Sequence, residues 1–118
     1  MKMFRIAGVA LVLALSACAG PQLYQQQLAG LNQGMSPASV VSQLQLSPRS
    51  SHETTVDNVP FTFQHYHLNN GLQRATYLIA YQDGKLKSWG YIDDFRRHPD
   101  ARLVQAANNV MSDVMAVP

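Results

Sequence analysis

The sequence predicts an α+β domain: two N-terminal helices packed on a three-stranded antiparallel sheet, with a C-terminal helix. Three observations predict it. Apolar residues recur at helical spacing on either side of the middle of the chain. The middle itself is rich in β-branched and aromatic residues and holds two turn signals, Asn69-Asn70-Gly71 and Asp83-Gly84. Helical and strand segments are grouped rather than alternating, which favours an antiparallel sheet over a parallel one.

The chain opens on a segment expected to be removed. Lys2 and Arg5 give a basic start, residues 6–15 are apolar and uncharged, and Leu15-Ser16-Ala17-Cys18 follows. A basic region, a short apolar run and a small-residue cut site make a secretory signal. The run is far shorter than the ~20 residues that span a bilayer. Its end resembles the lipobox of bacterial lipoproteins. That resemblance implies cleavage after residue 17, lipidation of Cys18 and an outer-membrane address, since Ala19 is not the Asp that retains such proteins at the inner membrane. Diacylation or more gives stable anchoring, whereas one chain does not.

Removing residues 1–17 of 118 leaves 101, enough for one domain. Residues 18–21 are a tether and 22–118 the single domain. Loss of Lys2 and Arg5 leaves seven basic against seven acidic residues, so the basic pI of the whole chain is no argument for nucleic acid. Cys18 is the sole cysteine, so no internal disulfide forms.

Within the domain, residues 22–32 read as a helix through Leu23, Tyr24, Leu28 and Leu31, stopped at Gln33-Gly34. Ser36-Pro37 starts a second helix, Ser as cap and Pro at the first position. That helix runs to about Gln45, buries Val40, Val41 and Leu44, and is ended by Ser47-Pro48. Residues 49–53 are a polar connector. Residues 54–68 are β, as one run or as two strands broken near 58–60, and 73–82 and 85–92 are strands joined at Asp83-Gly84 in a type I′ turn. A two-residue hairpin sets Tyr77, Ile79, Tyr81 and Leu86 on one face and Leu78, Ala80, Lys87 and Trp89 on the other. Pro99-Asp100 starts the last helix, whose stripe is Leu103, Ala107, Val110, Met111 and Val114. The last helix packs either on the second sheet face or at the edge.

The run Gly34-Met35-Ser36, with Val40 and Leu44 behind it, resembles the helix junction of SmpA/OmlA (BamE-like) outer-membrane lipoproteins. Gln45 stands where that family has Gly, and Pro48 falls one residue late. The Ile79 to Leu86 hairpin is also similar. The stretch from Tyr81 to Pro99 departs from the best-known member. The resemblance implies a non-catalytic accessory that binds protein partners, notably in outer-membrane β-barrel assembly.

Candidate sites are few. His65 and His67 share a strand face and could meet one ion, with His52 and His98 elsewhere, but zinc needs three or four protein ligands; an exposed or half-buried pair is the plainer expectation. Asp93-Asp94 fits a cap or a salt bridge with Arg96 or Arg97 better than paired acid/base work. No nucleophile elbow or phosphate loop occurs. Trp89, Tyr91, Phe95, Arg96 and Arg97 are residue types favoured at interface hot spots, and they are the candidate partner-binding set; the alternative is that Trp89 belongs to the core. The expectation is therefore a lipid-anchored, periplasm-facing scaffold or assembly accessory of the outer membrane. It would have a protein partner, no cofactor, no metal and no catalysis. A periplasmic inhibitor or ligand-binding lipoprotein is the alternative.

Overall fold

Strand formation in the middle of the chain organises everything else. The computed structural model describes residues 22–71 and 73–117. Their order is β1 (Leu23–Tyr24), α1 (Gln25–Leu28), α2 (Pro37–Leu44), β2 (Ser50–Val56), β3 (Val59–Asn69), β4 (Arg74–Gln82), β5 (Lys85–Tyr91), α3 (Ile92–Arg96) and α4 (Ala101–Ala116). The fold is α+β with a five-stranded mixed sheet. Strands β2 to β5 form an antiparallel meander, and β1 pairs in parallel with the far end of β3. No helix among the described residues is long and apolar enough to cross a membrane.

The sheet has more strands than the three expected, because Asp57-Asn58 makes a turn. Both residues have positive φ, 51° and 65°. Asn and Asp tolerate that region better than other non-glycine residues, and a two-residue hairpin needs it twice. The β-rich run thus splits into two strands, and β2 reaches back to Ser50 through the segment expected as a connector. Asp83 and Gly84, at φ 52° and 74°, close the second hairpin as expected.

The first helix is one turn rather than eleven residues. Leu23 and Tyr24 are drawn into the sheet opposite Leu68 and Asn69, which removes them from helical geometry. The Gln27 side chain then caps the turn, its Oε1 accepting from the Tyr24 N–H (2.7 Å) while its Nε2 donates to the Leu44 carbonyl (2.7 Å). At the second helix the expected start holds: Ser36 Oγ accepts from the Ser39 N–H (3.2 Å), with Pro37 behind it, and Val40 and Leu44 are buried while Val41 is only partly so. That helix ends on Gln45 in the left-handed region, φ 53°.

Between the two helices the chain crosses to the opposite edge of the sheet. Gly34, at φ 91°, donates its N–H to the Leu86 carbonyl, and the Leu86 N–H donates to the Met35 carbonyl, both at 2.8 Å. The Gly-Met-Ser junction is therefore both a helix start and a clasp on β5.

Each sheet face carries its own core. On one, Leu23, Leu28, Leu31, Val40 and Leu44 pack on Tyr66, Leu68, Tyr77, Ile79, Tyr81 and Leu86. On the other, Leu103, Ala106, Ala107, Val110 and Val114 of α4 pack on Phe61, Phe63, Leu78 and Ala80. The last helix thus covers the second face rather than merely the edge. Met111, placed in its apolar stripe by spacing, is only partly buried, while Ala106 joins the core.

One register expectation is corrected. Tyr81 does oppose Leu86, but Ala80 opposes Ser88 and Ile79 opposes Trp89. Lys87 is an extra residue in β5. A bulge turns every later side chain to the other face, so Trp89 joins Tyr77, Ile79 and Tyr81 on the N-terminal side instead of Leu78 and Ala80.

Candidate functional site

The five residues expected to bind a partner are distributed over both cores and the surface between them. Trp89 is half-buried against the N-terminal core, as are Met35, Leu46 and Tyr91. Tyr91 stacks edge-on against Tyr77, ring centroids 5.2 Å apart. Its hydroxyl lies 3.5 Å from Gln25 Nε2, next to Tyr24, which is 50% exposed. Burial pushes the Tyr77 hydroxyl up to about 12, with Tyr91 and Asp94 adding to the effect.

Phe95 departs from the set. It is 1% exposed and packs edge-on against Phe63 at 5.7 Å, in the opposite core. The cause is α3: the helix turn after Tyr91 carries Phe95 over the sheet end to the α4 side, where Leu103 and Ala107 enclose the same cluster. It therefore packs, and a partner cannot reach it.

Arg96 and Arg97 are exposed. Both reach Asp93, at 3.4 and 3.9 Å. Asp94 Oδ2 accepts from the Tyr91 N–H (2.8 Å) and closes the start of α3. The acidic pair thus divides into one salt-bridge residue and one cap. A Cβ at Gly90 would stand 2.7 Å from Asp94 Oδ2, so a side chain there would displace this cap. The surface set is Trp89, Tyr91, Arg96 and Arg97, with Tyr24 added, a residue whose spacing in the sequence suggests only a helix face.

A second constellation lies at the other edge, on the α4 side of the sheet. Ser50 and His52 on β2 face His65 and His67 on β3. Ser50 Oγ is 2.7 Å from His52 Nε2 and 3.5 Å from His65 Nδ1. One hydroxyl proton serves one of these nitrogens, so the other imidazole must donate to the oxygen: the three groups form a directional chain. The His65 and His67 rings meet edge-on, 5.4 Å between centroids. His65 is 1% exposed, and its Nε2 is buried without a hydrogen bond, as is His67 Nδ1. Burial holds the His65 imidazole down at about 4, with His67, Arg49 and His52 contributing. His67 is lowered too, first by burial and then by Arg49 and Arg74.

His65 is thus more buried than sequence reasoning expects, His67 is half-buried as expected, and His52 joins them. The arrangement favours neutral imidazoles. Ser50 contacts two imidazoles, whereas a hydrolytic triad would have a carboxylate orienting its histidine. Among the described residues no group of three His, Cys, Asp or Glu side chains is placed to hold a metal ion. His98 lies apart, its Nδ1 accepting from the Asp100 N–H at 3.0 Å. Cys18, the expected lipidation site, lies outside the described residues. Comparison with family models, with curated proteins and with solved structures finds no match to this chain.

Proposed function

We propose that this chain is an outer-membrane-anchored lipoprotein, facing the periplasm, that acts as a protein-binding or scaffolding accessory of the cell envelope, including outer-membrane protein assembly. It works by binding, not by catalysis. The observation that carries the reading is the basic and apolar leader ending in Leu15-Ser16-Ala17-Cys18, a few residues before β1. A domain tethered so closely stays at the membrane surface, within about 17 Å of extended chain for the five steps from Cys18 to Leu23.

Relation to the SmpA/OmlA (BamE-like) lipoproteins, with two N-terminal helices laid on an antiparallel sheet, is part of the proposal. Its support is local. The Gly34-Met35-Ser36 run has a double task, capping α2 and clasping β5. Gln45 occupies a left-handed position, where the family's Gly would be at ease. The partner surface is Trp89, Tyr91, Arg96 and Arg97 together with Tyr24, a mixture of aromatic and guanidinium groups that contributes strongly when buried by a partner. An inhibitor or ligand-binding lipoprotein uses the same surface differently and is the alternative.

Two measurements test the reading. Cys18→Ser should move the protein out of the membrane fraction; retention there as before sinks the anchor. Trp89→Ala and Arg97→Ala should each lower envelope crosslinking. Arg97 is 80% exposed at its side chain, so its loss leaves thermal stability nearly intact. Trp89 is half-buried, so its variant needs its stability measured alongside. Normal crosslinking in the Arg97 variant removes this surface from consideration.

A further inference from the structure

The two outer edges of the sheet differ. On β5 the Lys87 bulge breaks the ladder, and Gly34 and Met35 occupy the backbone of Leu86. On β2 the register with β3 is unbroken from Ser50 opposite His65 to Val56 opposite Val59. Among the described residues, the β2 backbone bonds to no strand but β3. A bare edge strand presents a row of unpaired N–H and C=O groups, and proteins usually blunt it with Lys, Pro, a bulge or shortness. β2 is seven residues long and has no Lys or Pro. Its single full charge is Glu53.

Both sides of this edge are furnished. Helix α4 runs along one: Arg102 Nε reaches Asp57 Oδ2 at 3.3 Å, and Asn109 Nδ2 reaches Thr54 Oγ1 at 3.2 Å. Thr54 therefore faces the helix, and by strand alternation Glu53 and Thr55 face away. There an open groove of about 240 Å³ is lined by Glu53, Thr54, Thr55, Pro60, Phe61 and Thr62. A strand added to β2 would place alternate side chains against the α4 flank and against this groove, the geometry of strand-addition peptide recognition.

We propose that β2 is a docking edge for an extended segment of a partner protein, which adds as a further strand and sets a basic residue opposite Glu53. Only another extended backbone complements an edge in full. Glu53 is exposed and is the one charged group lining the groove. Opposite charges facing each other across strands attract, and like charges repel. The same rule disfavours a second copy of this chain: antiparallel self-pairing over all seven residues centres on Glu53 and sets carboxylate against carboxylate. The edge is separate from the Trp89 surface and does not depend on the lipid anchor.

The test uses the full chain in mild detergent and three fluorescent heptapeptides of alternating Val and Thr. One has Lys at its centre, one has Glu there, and one is the Lys peptide N-methylated along its backbone. The Lys peptide should bind and protect β2 amides from exchange. The Glu peptide should bind about fivefold more weakly, and the methylated one should not bind. Glu53→Lys, an exposed change, should reverse the Lys and Glu order. Equal affinities, binding by the methylated peptide, or no binding by any peptide overturns the proposal. So does a dimer whose β2 amides are already protected, which would assign the edge to a second copy. Failure of the Trp89 and Arg97 variants to alter crosslinking leaves these outcomes unaffected.

Discussion

Acidification from pH 7 to 4 should destabilise the domain through His65. The imidazole is buried between β2 and β4, with Ser50, His52, His67 and Arg49 around it, so a proton there is poorly solvated and meets other positive groups. In the unfolded chain it protonates near 6.5; in the fold, near 4. Above 6.5 both states are neutral and the group has no effect. Between the two values the unfolded chain binds the proton and the fold does not, so stability falls as pH falls. At about 1.4 kcal/mol per pH unit, the full window costs about 3 kcal/mol, a large part of the 5–15 kcal/mol typical of a domain. His67, lowered by burial and by Arg49 and Arg74, acts in the same direction. Denaturant titrations followed by the fluorescence of Trp89, at half-unit steps of pH, measure the slope. His65→Leu keeps an apolar group at the site and should remove most of it. Asp100 does not confuse the window. Its slight burial is outweighed by the Leu103 and Arg102 amides and by Lys87, so its carboxyl stays below the ordinary 3.8 and its contribution is lost only at lower pH. A wild-type midpoint that stays level from pH 7 to 4, or a His65→Leu variant with the full slope, refutes the reasoning.

Three further outcomes follow from backbone and capping geometry. Ser36→Ala removes the acceptor for the Ser39 N–H and should cost about 1 kcal/mol in a urea titration; no shift in midpoint would mean the cap is idle. Gly84→Val puts a β-branched residue at φ 74° and should cost about 1–2 kcal/mol, with hairpin amides exchanging faster by NMR. Gln45→Gly relieves a left-handed residue at the end of α2 and should raise the thermal midpoint, by less than about 1 kcal/mol equivalent because Gly also loosens the unfolded chain; a lower midpoint would place the value of Gln45 in its side chain.

What was legible in the sequence followed local rules. Ser36 and Asp100 cap helices because a hydroxyl or carboxylate before a helical stripe has few other uses; the Asp100 Oδ1 accepts from the Arg102 and Leu103 N–H groups, at 3.0 and 3.3 Å. Asp83-Gly84 turns because few other pairs accept its backbone angles. The acidic pair at 93 and 94 divides into salt bridge and cap as its neighbours suggest. What escaped depended on partners distant in sequence. Residues 22–24 satisfy helical spacing, but Leu68 and Asn69 compete for the backbone of Leu23 and Tyr24 and win. Phe95 looks like an interface aromatic until α3 turns it toward Phe63, thirty-two positions away.

The bulge at Lys87 is the deepest case. No residue of Lys85 to Tyr91 marks position 87 itself as the extra one, and alternation alone puts Trp89 under α4. The register slips just after Leu86, the residue whose N–H and C=O are both held by the clasp at Gly34 and Met35. Two long-range events thus meet at one residue. The helix junction blunts the β5 edge, and the bulge sends Trp89 to the N-terminal side, where it packs half-buried against the core. A regular strand would have taken it to the α4 face, whose core is already filled by Phe61, Phe63 and Phe95. The Gly34-Met35 clasp and the bulge that brings Trp89 to the N-terminal side thus meet at Leu86. The junction motif and the proposed partner surface, independent when read along the chain, are one structural unit in the fold.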